Sequence, residues 1–293
     1  MRILDFGFRI FHRRLMEKLL EPFQFPFMTD AMLVGASVAA VCAVLSCFLV
    51  LKGWSLMGDA ISHAVLPGIV IAYAIGAPLA LGAFASGLFC AVSTGFIKAH
   101  SRVKEDTVMG VVFTGLFAFG LVLFTKIKTD LHLDHILFGN ILGIEPRDLI
   151  ESCAVAGITL VIVLTLRRDL LLFCFDPNHA RAIGLPTQFL YYLLLSLLAA
   201  TIVAALKAVG IILVIAMLVT PGCIAYLLTD RFNRMLWIAT GSAVFSSLAG
   251  VYVSFFLDAS TAACMVLVQA LIFLLVLVFA PKYGLLAAPR ATA

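Results

Sequence analysis

MLVGASVAAVCAVLSCFLVL, residues 32–51, contains no charged side chain and is long enough to cross a bilayer as a single helix. A hydrocarbon core of about 30 Å needs about twenty apolar residues at the helical rise. The same reading extends outward along the chain. Residues 60–97 carry no Asp, Glu, Lys or Arg and hold two spans, with Ile75-Gly76-Ala77-Pro78 as the turn between them. Further spans fall at 107–125, at 152–166 (extended back through Glu151 and Leu149), and at 187–206, 208–229, 235–257 and 259–280. The fold class is therefore all-α: a polytopic membrane protein with about nine transmembrane helices, within a range of about eight to ten. Continuous apolar runs, rather than alternation at period two, select helices over a barrel.

Composition supports this reading. Hydrophobic residues make up 63% of the 293 positions and charged residues only 12%, about half the charged share of a soluble domain. A net charge of +4 is too mild to suggest nucleic acid as a partner, whereas the surrounding lipid is implied throughout. The seven cysteines (42, 47, 90, 153, 174, 223 and 264) lie scattered through apolar stretches without a Cys-x-x-Cys, so they read as small packing residues.

The chain divides into a basic amphipathic N-terminal segment (1–28), a transmembrane domain (29–283) and a short tail (284–293). The opening MRILDFGFRIFHRRLMEKLLE has charges throughout and no apolar core, so it is not a cleavable signal peptide. Its apolar and basic residues alternate at roughly helical spacing, which fits either a helix lying on a membrane surface or a partly ordered basic tail. Basic residues cluster at Lys98, Arg102 and Lys104, at Arg167, Arg168 and Arg181, and at Arg231 and Arg234. The positive-inside bias places all three loops in the cytoplasm and the acidic stretch 126–148 outside. Counting back from Lys98 then puts the basic N-terminus outside. Either that segment is an exception, or a segment near 55–75 is re-entrant.

Chemistry should sit where polar groups enter the apolar runs, since a charge there costs roughly 2.5 kcal/mol or more. The densest such place is GWSLMGDAISHAVLPG, residues 53–68. Asp59 and His63 are four apart, so a helix projects both from one face. One oxygen and one nitrogen donor suit a divalent transition ion; the same pair could equally lock two helices together. A second polar cluster, Asp134-His135 with Asn140, reads as a metal contact or as a solvated loop. No Gly-x4-Gly-Lys-Ser/Thr is present, so the chain has no P-loop of its own, and no hydrolase elbow or His-Glu-x-x-His supports an enzyme. A transporter driven by an ion gradient would also carry an intramembrane acid and histidine.

Several of these segments resemble one family. Gly58-Asp-Ala-Ile-Ser-His-Ala-Val-Leu-Pro-Gly68 is similar to the signature of the permease subunit of bacterial metal-ion ABC importers, the manganese, iron and zinc class also called chelated-iron permeases. The resemblance continues through Glu105-Asp-Thr-Val-Met-Gly110, Asp134-His-Ile-Leu-Phe-Gly-Asn140, residues 176–186, and Leu218-Val-Thr-Pro-Gly222. It leaves out only the first 28 residues and the last ten, and looks closest to the manganese and iron permeases of enteric bacteria. It implies a divalent metal ion as cargo, with no permanently bound cofactor. It also implies a periplasmic metal-binding protein, a second permease subunit (identical or homologous) and cytoplasmic ATP-binding subunits, all at the bacterial inner membrane. Under this resemblance Asp59 and His63, with Asp134 and His135, contact the ion. Residues 176–186 form a short helix that docks on the ATPase: Asp176 opens the segment, Ala180, Ile183 and Leu185 contact the partner, and Gly184 lets the backbone turn.

Overall fold

The computed structural model describes residues 21–126 and 141–286, and among them every regular element is helical. In chain order these are α1 (Pro26–Lys52), α2 (Met57–Ala74), α3 (Leu79–His100), α4 (Glu105–Lys126), α5 (Pro146–Thr165), α6 (Arg167–Phe175), α7 (Pro177–Ala182), α8 (Thr187–Leu228), α9 (Phe232–Leu257) and α10 (Thr261–Phe279). Counting α8 as two, nine helices among the described residues are long and apolar enough to span a membrane. At 1.5 Å per residue, helices of this length match a hydrocarbon core of about 30 Å with every internal backbone group paired within the segment.

Helix α8 reverses direction partway. Its first half carries Tyr191, whose ring packs edge-on against Trp54. Its second half carries Tyr226, which shares a groove with Leu51 and Arg168. Both ends of α8 therefore lie at one end of the bundle. The turn is made by Gly210, at φ 78° and ψ 168°, a conformation that only glycine adopts without strain. The sequence suggested a boundary near Lys207; the reversal sits three residues later, where the backbone freedom lies.

Basic residues collect at the end that holds Trp54 and Tyr226. Lys52 donates to the Phe173 carbonyl in α6 at 3.4 Å, and Lys282 pairs with Asp230. The ends of α3 (Lys98), α9 (Arg231, Arg234) and the start of α6 (Arg167, Arg168) join them there. Glu145, Asp148 and Asp258 mark the opposite end. Helix α1 starts at that acidic end, where Phe25 packs against Phe255 late in α9, with ring centroids 5.8 Å apart. Helix α2 runs back from Trp54 parallel to α4, with His63 beside Phe117 and Pro67 beside Gly120. It crosses the bundle, so the re-entrant alternative for 55–75 does not occur. The basic segment before residue 21 lies outside the described residues.

Helix α1 is the centre of the molecule. From Val34 to Leu49 most of its side chains are buried, and it packs against α5, α8 and α9. Small residues (Gly35, Ala39, Ala43, Ser46) let neighbours approach closely, which is how helices associate where lipid is as apolar as leucine. Helix α2 meets α3 even more tightly: Gly68 and Gly82 face each other so closely that a Cβ on either would collide with the other's carbonyl.

Candidate functional site

Asp59 lies in the first turn of α2 and His63 one turn on, so their shared face follows from helical geometry alone. His63 Nε2 and an Asp59 carboxylate oxygen stand 3.2 Å apart. Gly58, Ala60, Ile61 and Ala64 turn inward and are buried, with Gly58 against Leu218 of α8. That packing fixes the rotation of α2 and leaves the acid and the imidazole on the open edge. Their side chains are 34% and 30% exposed, unusual for ionisable groups within a span. Ser62, between them in sequence, points inward and donates to the Gly58 carbonyl at 2.7 Å.

Two aromatic side chains of α4 wall the imidazole. Phe113 stacks on it with centroids 6.1 Å apart, and Phe117 meets it edge-on at 5.4 Å. Neither was legible as a site residue, because Phe in an apolar span looks like any lipid-facing position. Above the site Pro67 lies inside the helix and carries no N–H, so the His63 carbonyl one turn back lacks its regular i+4 donor. The edge thus offers a carboxylate and an imidazole nitrogen, held by packed helices. Among the described residues no group of three His, Cys, Asp or Glu side chains could enclose a metal ion. The chain presents an acid and an imidazole side by side, open on one side. Asp134 and His135 lie outside the described residues.

The second predicted region, residues 176–186, holds the short helix α7, which follows α6 at the basic end. Asp176 caps α7, accepting from the backbone N–H of Asn178 at 3.0 Å and of His179 at 2.9 Å. Pro177 occupies the first helical position, where its missing N–H costs nothing. Gly184 ends the stub at φ +87°. Ala180 is fully buried against its own chain, so it seats the stub and is not free to touch a partner, unlike Ile183, which is 57% exposed. Leu185 is half-buried. Helix α6, which carries the stub, did not stand out in the sequence: Arg-Arg-Asp at its start reads as a loop, and nine residues are too few for a span. The Lys52 ammonium sits 4.3 Å from the centroid of Phe173 in α6, tying the end of α1 to this unit. Burial pushes the nearby Cys174 thiol up to about 12, although Lys52 pulls the other way.

A many-span bundle with an ionisable pair on an open edge, and a short helical unit at its basic end, has the build of a membrane permease. Comparison with known proteins gives its family. Residues 24–280 match the ABC 3 transport family, and the chain belongs to it. It is 58% identical over 265 residues to the chelated iron transport system membrane protein YfeD of Yersinia pestis, covering 90% of this chain and 89% of that one. It is 57% identical over 269 residues to the manganese transport system membrane protein MntB of Synechocystis, covering 92% and 88%. Among solved structures, PsaBC from Streptococcus pneumoniae in complex with Fab superposes with a TM-score of 0.82 at 34% identity, covering 92% of this chain and 97% of that one.

Proposed function

We propose that this chain is the membrane-spanning subunit of an ATP-driven importer that carries divalent metal ions, manganese or ferrous iron, across the bacterial inner membrane. The observation that carries the reading is the Asp59–His63 pair, two donors 3.2 Å apart on an open edge of α2. The pair is matched to a borderline divalent ion by ligand type, and the names of the iron and manganese relatives agree with that cargo. An incomplete shell suits a conduction site, because an ion held in a closed, tight shell would not leave. A second permease subunit, identical or homologous, facing the same edge would bring further donors. The face of α4 where Thr114 is exposed, and where a Cβ added at Gly110 or Gly115 would meet nothing within 4 Å, suits a packed helix.

The bias of arginine and lysine toward one end makes that end cytoplasmic. There the α6–α7 unit would receive the push of a cytoplasmic ATP-binding subunit, with Ile183 and Leu185 as contacts and Gly184 as the turn. A periplasmic metal-binding protein would deliver the ion at the acidic end. Uptake of manganese, iron and zinc into vesicles holding the permease, with and without its ATP-binding partner, tests the reading. Uptake should require both the partner and ATP. Accumulation driven by an ion gradient without the partner would instead mark a secondary transporter.

A further inference from the structure

A groove of about 440 Å³ opens toward the membrane between α1, α5 and α9, away from the Asp59–His63 edge. Its walls are aliphatic, with Val44 from α1, Leu160 and Leu164 from α5 and Leu236 from α9. Its lower end is polar: Arg167 at the start of α6, Asn233 in the first turn of α9, and Trp237, which is 80% exposed. Along α9 the groove runs from Asn233 to Thr240, about 10 Å at 1.5 Å per residue. That depth lies within one leaflet of a bilayer whose core is about 30 Å thick. An apolar slot one leaflet deep, closed at the interface by an arginine, an amide and a tryptophan, has the layout of a lipid and not of a peptide.

Charge decides which lipid. Arg167 is exposed at this rim, and Arg168, Arg231 and Arg234 are exposed at the same end of the bundle but do not line the groove. Of the two acids close by, Asp230 is held by Lys282 and Asp169 is half-buried. Among the described residues Arg167 makes no ion pair, so its guanidinium is available for a bidentate contact with a phosphate. We propose that the α1–α5–α9 groove is a binding site for one anionic phospholipid of the cytoplasmic leaflet, its acyl chain along Leu160 and Leu164 and its headgroup phosphate on Arg167. A lipid seated there braces α5 against α9 at the point where α6 leaves the bundle. The inference rests on the orientation given above and is independent of the cargo.

The test uses the assembled importer in nanodiscs of equal phosphatidylglycerol and phosphatidylethanolamine with identical acyl chains, reading by native mass spectrometry which lipid stays bound. Phosphatidylglycerol should be retained about fivefold over phosphatidylethanolamine, the equivalent of the ~1 kcal/mol that one basic residue contributes near a membrane surface. Arg167→Ala should remove the preference, Leu164→Trp should remove the bound lipid of either kind, and Arg234→Ala, outside the groove, should keep both. Equal retention of the two lipids by the unaltered protein would overturn the proposal. So would an undiminished preference in Arg167→Ala, or a groove that holds no lipid once the partner subunits are in place.

Discussion

Helices α1 and α2 are the two most enclosed spans of the molecule, yet they treat their polar residues in opposite ways. On α1 every described hydroxyl has a partner. Ser37 donates to its own helix at the Val34 carbonyl, while Ser46 donates to Val219 at 3.1 Å and accepts from the Gly222 N–H at 3.0 Å. Pro221 interrupts α8 there, and Ser46 takes up backbone groups beside the interruption. On α2 the strongest polar groups, Asp59 and His63, meet each other and no other polar side chain among the described residues, and they stay a third exposed. Polar groups that are fully satisfied hold helices together. An ionisable pair left open to one side adds no such packing, and that asymmetry is the basis of the proposed ion path.

Substitutions can break or sharpen this contrast. The largest structural effect should come from the packed side of α2. Gly68→Val would drive a side chain into the Gly82 carbonyl, so overpacking should cost about 3 kcal/mol or more and leave little folded protein in the membrane. Expression and detergent melting report it. A folded, fully active Gly68→Val would mean that α2 is not fixed by α3 as described.

Gly184→Asp should act more locally. Its positive φ disfavours any side chain by about 1–2 kcal/mol, a strain confined to the exposed stub. The protein should reach the membrane while ATP hydrolysis in the partner no longer drives uptake. Normal uptake with the ATPase bound would place the coupling contact elsewhere. The smallest of these effects belongs to α1. Ser46→Ala removes the hydrogen bonds to Val219 and Gly222, and intramembrane hydrogen bonds average about 0.6 kcal/mol each, with a maximum near about 1.7. A melting shift of a few degrees with unchanged uptake per folded molecule is expected. Lost uptake without lost stability would put Ser46 on the transport path instead.

Much of this was readable before any coordinates. Hydropathy is a property of each segment alone, so all nine spans and the turn at Gly76 could be placed. Asp59 and His63 were also legible, because an i, i+4 pair needs only a helix to share a face. What depends on neighbours was not. The walls of the site, Phe113 and Phe117, come from another helix, and nothing in an apolar sequence says which aromatics face inward. The burial of Ala180 likewise reflects what its chain packs against, and alanine suits either side equally. The N-terminal side of α1 could not be settled by charge counting, since the basic residues before it argue against the parity of the spans. The ring contact between Phe25 and Phe255 puts the start of α1 at the acidic end of the bundle.

The central claim is that Asp59 and His63 serve the ion and not the fold. Manganese uptake into proteoliposomes, normalised to the amount of assembled permease and ATPase, tests it most directly when Asp59→Ala and His63→Ala are compared with the unaltered protein. Both variants should melt and assemble normally, since the pair is open to one side, while uptake falls at least about tenfold, equivalent to about 1.4 kcal/mol. Variants that assemble normally and carry manganese at the unaltered rate would contradict the account, and variants that fail to assemble would show the pair to be a structural brace.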